Sequence, residues 1–489
     1  MSLINSFSEH QKSLLLSNPH SASATSPNLT QVLVKSTRLK VLKLFKADPK
    51  NFEVIFVANA TAAAKLVFEA FRDHEQGYDY FYHRDCHTSL VGGRQWAQNH
   101  ACLGGENADE VTEDWLKDAN SLPQKRSGQR PTLFAYPGQS NMNGRRLPLS
   151  WPSLLRKDQG HPDTYVLLDV AALVSTCSLD LSNHETAPDF LTLSFYKIFG
   201  FPNLGALIVN KRAAHIFKAR RYFGGGTTDL IACGADPWVA KKKDLCASLE
   251  DGTGPAYSVL ALNCAIDEHE KLFGSLAKVS QHTAWLASQL YEQLGAMKHT
   301  NGQPLCEIYK DEHSTYGDSA TQGGTVSFNV HTPDGGYVDT VLVSNEAMAK
   351  SIHIRAGSLC NPAGMACTLG FNDTDLRNVH DSGLRCGDQS SWSRRPLGMV
   401  RVSFGACSTL EDALIFVRFL QESFVDRHIP EARVPLVGTR KPKSVDFASI
   451  RHTIASPPMA CRNGAEPKKK KRNWRRMGSL RRIQMWARR

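Results

Sequence analysis

From residue 52 onward, short apolar runs alternate with stretches whose apolar positions recur every three or four residues. Phe52–Val57 (FEVIFV) has the length and side chains of a strand, and Ala60–Arg72 (ATAAAKLVFEAFR) reads as an Ala-rich amphipathic helix. Further strands are predicted at 78–82, 132–136, Thr164–Asp169, Phe190–Ser194 and 204–209. Strands interleaved with helices predict a mostly parallel sheet covered on both faces, with ligands beyond the C-terminal strand ends. Helical spacing returns over about 254–300. A second α/β portion follows, with strands at Thr325–Val330 and 399–404. A helix over 409–424 is opened by a Ser408-Thr409-x-Glu411 capping pattern. The expected fold class is α/β, with a large domain over 51–300 and a smaller one over 301–430. A segment 1–50 precedes them, and 431–489 reads as a linker and basic tail, expected to be disordered.

Composition narrows the class. Of 489 residues, 41% are hydrophobic and 21% charged, which excludes a collagenous or mostly disordered chain. No apolar run reaches the roughly 18 residues of a membrane span, and MSLINSFSEHQK lacks the layout of a secretory signal. The net charge is +11, but the last 23 residues hold 11 of the 58 basic side chains and no acid. The rest is balanced at 47 of each sign, which argues against nucleic-acid binding by the body of the chain. The 12 cysteines include no C-x-x-C pair, so reduced thiols are expected rather than a disulfide framework or a zinc site.

The candidate chemistry sits just after the predicted strands. Asp169 closes one apolar strand (LLDVAA), and Lys197 follows the next (SFYKIFG). Alone, each is an ordinary surface or cap residue. Together, an acid and a lysine one βαβ step apart suit a pyridoxal-phosphate enzyme: the lysine binds the aldehyde, and the acid keeps the pyridine nitrogen protonated. Asn59-Ala60-Thr61-Ala62-Ala63 marks a strand-to-helix turn where backbone N–H groups and the Thr61 hydroxyl favour a phosphate. His87, in His87-Thr88-Ser89, is positioned after a strand to stack on a flat cofactor.

With these residues in view, the chain resembles the class V, fold-type I pyridoxal-phosphate-dependent aminotransferases. More narrowly, it resembles the cysteine desulfurase-like N-terminal domain of molybdenum cofactor sulfurases. The strings that carry this include VIFVANATAAAKLVFEAF, HTSLVGGRQWA, FAYPGQSNMNGRRLPLSW, DVAALVSTCSLDLS, LSFYKIFGFPNLGALIV, YFGGGTT, IRAGSLCNPAG, LRCGD and VRVSFGACSTLEDA, over roughly residues 18–425. The resemblance implies Lys197 as the Schiff-base lysine, Asp169 on the pyridine nitrogen and His87 on the ring. It also implies Asn141 near the ring hydroxyl, with Thr61, Ala62 and Ser194 around the phosphate. Thr227, in the GGGT loop, would approach the cofactor of a neighbouring subunit, which implies a homodimer. Cys360, in Arg355-Ala356-Gly357-Ser358-Leu359-Cys360-Asn361-Pro362, would take sulfur from L-cysteine as a persulfide and leave alanine. A nearby cation such as Arg355 favours its thiolate. Cys367 and Cys407 are the fallback thiols, and Arg401 would hold the substrate carboxylate through a guanidinium fork.

Two departures from the family pattern accompany the resemblance. Relatives carry an early Asp-His-x-Gly/Ala-x-Thr type string that helps enclose the site. This chain starts beyond it, so that wall is expected to be missing. Full-length sulfurases also add a molybdenum-cofactor-binding domain, for which the residues after about 430 are too few and too polar. The sulfur acceptor, molybdenum cofactor or its carrier, would then be presented separately. The run 467–472 (PKKKKR) resembles a nuclear-import signal on an otherwise cytoplasmic protein. The basic and aromatic residues after it suit anionic membrane or nucleic acid. Another class V lyase or epimerase would share the cofactor residues without needing Cys360. A degenerate homologue acting as an interaction protein is the third reading.

Overall fold

A computed structural model describes residues 2–14, 16, 28–105, 107–118, 121, 130–157, 163–384, 391–392 and 395–428. Seven strands form the main sheet: Phe52–Val57 (β1), Asp79–His83 (β2), Asn99–Leu103 (β3), Thr132–Pro137 (β4), Thr164–Asp169 (β5), Phe190–Ser194 (β6) and Gly205–Asn210 (β7). Their order is β1-β7-β6-β5-β4-β2-β3. All neighbours are parallel except β7, which is antiparallel to both β1 and β6. The α/β class and the mostly parallel sheet are as the sequence predicts.

The strands read as continuous apolar runs because both faces are covered. Alternate residues supply two separate cores. Phe134, Val166, Leu168, Leu191 and Ile208 join a core with Leu42, Trp115, Trp151 and Leu262 from helices on one face. Leu133, Leu167, Phe190 and Leu207 join the other core with Val67 and Phe71 of the helix Ala60–Arg72. A one-residue slip would exchange the two sets, so both cores fix the register.

Thr228–Ala232 (β8) and Trp238–Lys241 (β9) form a separate hairpin. Cys306–Ile308 (β10), Thr325–Val330 (β11), Arg355–Gly357 (β12) and Met399–Ser403 (β15) make a four-stranded sheet in the order β10-β11-β15-β12. A short ladder, Ser391–Trp392 (β13) with Arg395–Pro396 (β14), precedes its last strand. That sheet packs on the helices Leu276–Ala296 and Leu410–Phe424 through Val326, Phe328, Leu290, Phe416 and Leu420. The predicted helical region 254–300 is two helices, Ala256–Phe273 and Leu276–Ala296, the second capped by Ser275.

The last helix corrects one expectation. Its cap is Thr409, whose hydroxyl accepts the Asp412 N–H while the Asp412 carboxylate accepts the Thr409 N–H. The expected Ser408/Glu411 pair is one residue out of phase. Ser408 instead accepts the N–H of Gly405. Met1–Val434 form one compact unit; the second, Pro435–Arg489, and the whole expected linker and tail 431–489 lie outside the described residues, as does the Cys386-Gly387-Asp388 motif. No helix among the described residues is long and apolar enough to cross a membrane.

Candidate functional site

The strand ends and two helix starts build a cavity of about 280 Å3. Asp169 closes β5 and is buried, and its Oδ1 accepts the Ala171 N–H at 2.9 Å, which fixes the carboxylate at the cavity wall. Ser194 closes β6, and Lys197 follows it on the short helix Phe195–Phe199. Asn59 caps the helix Ala60–Arg72, and with Ala60 and Thr61 it lines the same cavity.

That turn meets the sheet because β7 begins with glycine. A Cβ on Gly205 would lie 2.6 Å from backbone atoms of Asn59 and 2.8 Å from the Leu193 carbonyl. Only a residue without a side chain permits this approach. Of the first helix amides, Ala60 donates to Ser194 Oγ at 3.1 Å and Ala62 to Asn59 Oδ1 at 3.0 Å. Ala62 therefore leaves the candidate anion site: its N–H is consumed by the cap, and it does not line the cavity. The hydroxyls of Thr61 and Ser194 remain on the wall.

His87 caps the helix Thr88–Val91, and its Nδ1 accepts the Ser89 N–H at 3.1 Å. An accepting Nδ1 puts the proton of the neutral ring on Nε2. Burial lowers the His87 pKa, Asp169 opposes that, and Lys197 and Arg355 add to the lowering. The ring is thus biased towards its neutral form, which suits stacking on a flat ligand.

A second cavity, of about 400 Å3, adjoins the first, and Gln139, Asn141, Ala172, Tyr196 and Lys197 line both. Its floor carries Arg401 of β15. Arg401 Nη1 donates to the Asn141 carbonyl at 2.5 Å, while its buried Nε has no hydrogen-bond partner. Burial and the like charge of Arg355, its partner across the β12–β15 ladder, lower the Arg401 pKa, with Cys360 opposing. A half-buried guanidinium with no carboxylate paired to it among the described residues suits an anionic ligand.

The loop of Cys360, expected to handle sulfur, follows β12. Leu359 and Cys360 have φ of 55° and 57°, the left-handed region that costs a residue with a side chain about 1–2 kcal/mol. Cys360 is partly buried, and Arg355 Nη2 lies 3.6 Å from its Sγ. The thiol does not line either cavity, but its carbonyl accepts the Thr88 N–H at 3.0 Å, so the loop is tied to the His87 turn. Burial disfavours the thiolate at three other cysteines. Burial pushes Cys246 and Cys306 up to about 12 and Cys86 well above its ordinary value. Cys367 lies at the far end of the helix Pro362–Thr368 against Arg84, and Cys407 lines a third cavity beside Lys197.

Two placements bear on the expected roles. Asn141 does line both cavities, but its carboxamide is committed to the sulfur loop, donating to the Leu359 carbonyl at 2.6 Å and accepting from Asn361. Thr227 lies away from this chain's own cavity, fully buried, with its hydroxyl donating to the Gly224 carbonyl. Sequence reasoning passed over Gln139 and Asn361. Both stand in runs already singled out, but neither carries a charge or a nucleophile to mark it.

The donor set fits pyridoxal phosphate. It offers an amine, a buried carboxylate on the neighbouring strand end, an imidazole and two hydroxyls around one small cavity.

The family model for class-V aminotransferases matches residues 6–416. The chain is 47% identical over 431 residues to the molybdenum cofactor sulfurase of Aspergillus clavatus, covering 87% of this chain and 50% of that protein. It is 46% identical over 431 residues to that of Neurospora crassa, covering 87% and 45%. The chain thus spans about half the length of the curated relatives it matches. Among solved structures, the apo cysteine desulfurase from Thermococcus onnurineus NA1 superposes with a TM-score of 0.64 at 17% identity, covering 86% of this chain and 90% of that one. A cysteine desulfurase from Escherichia coli gives 0.61 at 16%, covering 86% and 90%. At these identities the likeness shows the fold.

Proposed function

Because the chain belongs to the class-V aminotransferase family, we propose that it is a pyridoxal-phosphate-dependent cysteine desulfurase of the molybdenum cofactor sulfurase type. One observation carries the reading. Lys197 stands where two cavities meet, one with the donors for the cofactor and the other ending on Arg401.

When bound, the cofactor supplies an electron sink that weakens bonds at the Cα and Cβ of an amino acid. The chain's own residues do the rest. Thr61 and Ser194 hydroxyls hold the phosphate, and Asp169 holds a proton at the ring nitrogen. His87 covers the ring face in its neutral form. Arg401 orients the substrate carboxylate, which places the α-hydrogen against the Lys197 amine for proton transfer. Cys360, with Arg355 Nη2 3.6 Å from its Sγ, receives the sulfur, and alanine leaves.

The hairpin β8–β9 and its flanks expose Tyr222, Leu230, Ile231, Trp238 and Tyr257. Exposed apolar side chains of this kind mark interfaces, and their exposure here supports the homodimer reading. The sulfur acceptor is read as molybdenum cofactor or its carrier, from the printed names of the relatives.

The test is the purified protein with pyridoxal phosphate and L-cysteine. Alanine should form one-for-one with transferred sulfur, and a peptide map should find the persulfide on Cys360. Cys360→Ser should lose the persulfide while retaining the visible absorbance of the bound cofactor. Sulfur transfer by that variant at the parent rate would assign the step elsewhere.

A further inference from the structure

Leu359 and Cys360 are consecutive non-glycine residues in the left-handed region. Such a pair persists only where the surroundings over-determine it. Three hydrogen bonds do so: Thr88 N–H to the Cys360 carbonyl (3.0 Å), Asn361 N–H to the Ser358 carbonyl (3.2 Å) and Asn141 Nδ2 to the Leu359 carbonyl (2.6 Å). Only the last comes from a side chain, and a carboxamide can rotate away unless its other end is held.

Asn361 holds it. This residue is completely buried, and its Oδ1 accepts the Gly364 N–H at 3.1 Å as the cap of the helix Pro362–Thr368. That bond fixes which end of its carboxamide is oxygen, so Nδ2 faces the Asp85 carbonyl at 3.2 Å and Asn141 Oδ1 at 3.3 Å. Asn141 Oδ1 is thereby occupied, and Asn141 Nδ2 has one direction left, towards Leu359. The Asn141 main-chain carbonyl meanwhile takes the Arg401 bond. A single asparagine thus joins the residue that would hold the substrate carboxylate to the turn that carries the thiol.

We propose that Asn361 is a positioning residue for sulfur receipt: acting through Asn141, it holds Cys360 in the turn from which the thiol meets the substrate. This deepens the desulfurase reading and rests on it. Removing the Asn361 N–H groups frees the Asn141 carboxamide, and the strained turn then relaxes and carries the thiol out of register.

Asn361→Ser tests this in the cofactor-loaded protein, because serine keeps an oxygen for the Gly364 N–H but has no amide. Alkylation of Cys360 by iodoacetamide, followed by peptide mass spectrometry, should quicken at least about threefold. For alanine release, kcat should fall about tenfold with KM for L-cysteine within about twofold, since one buried hydrogen bond carries an effect of that order. Asn361→Asp keeps the cap and the shape but not the donor, and it should behave alike. It decides the matter if the serine variant folds poorly. In a double-mutant cycle with Asn141→Ala, the effects on alkylation should fail to add. Alkylation and kcat within twofold of the parent in either folded variant, or strict additivity in the cycle, would overturn the proposal. A parent that makes no alanine from L-cysteine overturns the desulfurase reading instead, while the alkylation contrast still decides Asn361.

Discussion

Asp169 and Cys360 are held in opposite ways. Asp169 ends a strand buried on both faces, in ordinary extended backbone, with its carboxylate fixed by an amide two residues on. Cys360 follows a three-residue strand, in strained backbone, and its turn is held by the Thr88 amide and the Asn141 side chain from other parts of the chain. Groups that must hold still sit on the rigid sheet end. Cys360, the proposed sulfur acceptor, sits on a turn whose geometry can be released. Strain of this sort is supported by its neighbours, so the loop's position depends on contacts that its own sequence does not contain.

Breaking the rigid half at its reactive group should have the largest effect. Lys197→Ala removes the amine common to the two cavities, and alanine release from L-cysteine should fall by about 10²–10⁴-fold, assayed as amino-acid product. Borohydride should no longer trap the cofactor on the chain. Substantial turnover in that variant would move the chemistry away from the sheet end.

Arg401 belongs to both halves, through the second cavity and through Asn141. Arg401→Gln should lower kcat/KM for L-cysteine by about 10–100-fold, mostly through KM, because a hydrogen bond to a charged group is lost. An effect confined to kcat would place Arg401 with the sulfur loop rather than with the substrate.

Gly205→Ala tests rigidity without touching a reactive group. The new methyl must displace Asn59 or β6 backbone, at a cost of about 1–3 kcal/mol. The thermal midpoint should fall by several degrees in calorimetry, with weaker cofactor retention. Cys360 alkylation should change little; a large change there would mean the two halves are mechanically one.

The smallest effect should be in pH dependence. The folded His87 pKa lies below its ordinary 6.5, so between the two values the unfolded chain binds more protons. This contribution is constant above about 6.5 and costs stability as pH falls through the window towards the folded value. Comparing urea midpoints at pH 7.5 and 5.5, the parent should lose more than His87→Asn. Equal losses would show that the ring is not held neutral by its site.

Much of the sheet was legible, since β1, β5 and β6 stand where their apolar runs predict. β3 was not, because Asn99–Leu103 is a largely exposed edge whose polar residues carry no strand pattern. The hairpin β8–β9 was missed too, because its strands are short and its apolar residues are exposed rather than buried in a core. Lys197, Asp169, Thr61 and His87 were readable as candidate chemistry at strand ends, and Ser194 came from the family resemblance. Asn361 was not, since a buried asparagine announces itself only through its partners.

The sequence by itself determined the fold class and the two-sided sheet and supplied the candidate reactive groups, because apolar period and residue chemistry are local properties. Tertiary structure decided that the Asn141 carboxamide is bound to the Cys360 turn and that its main-chain carbonyl takes the Arg401 bond. Those outcomes are set by hydrogen bonds between residues far apart in the chain. Asn361 and Asp85, 276 positions apart, meet only once the chain has folded.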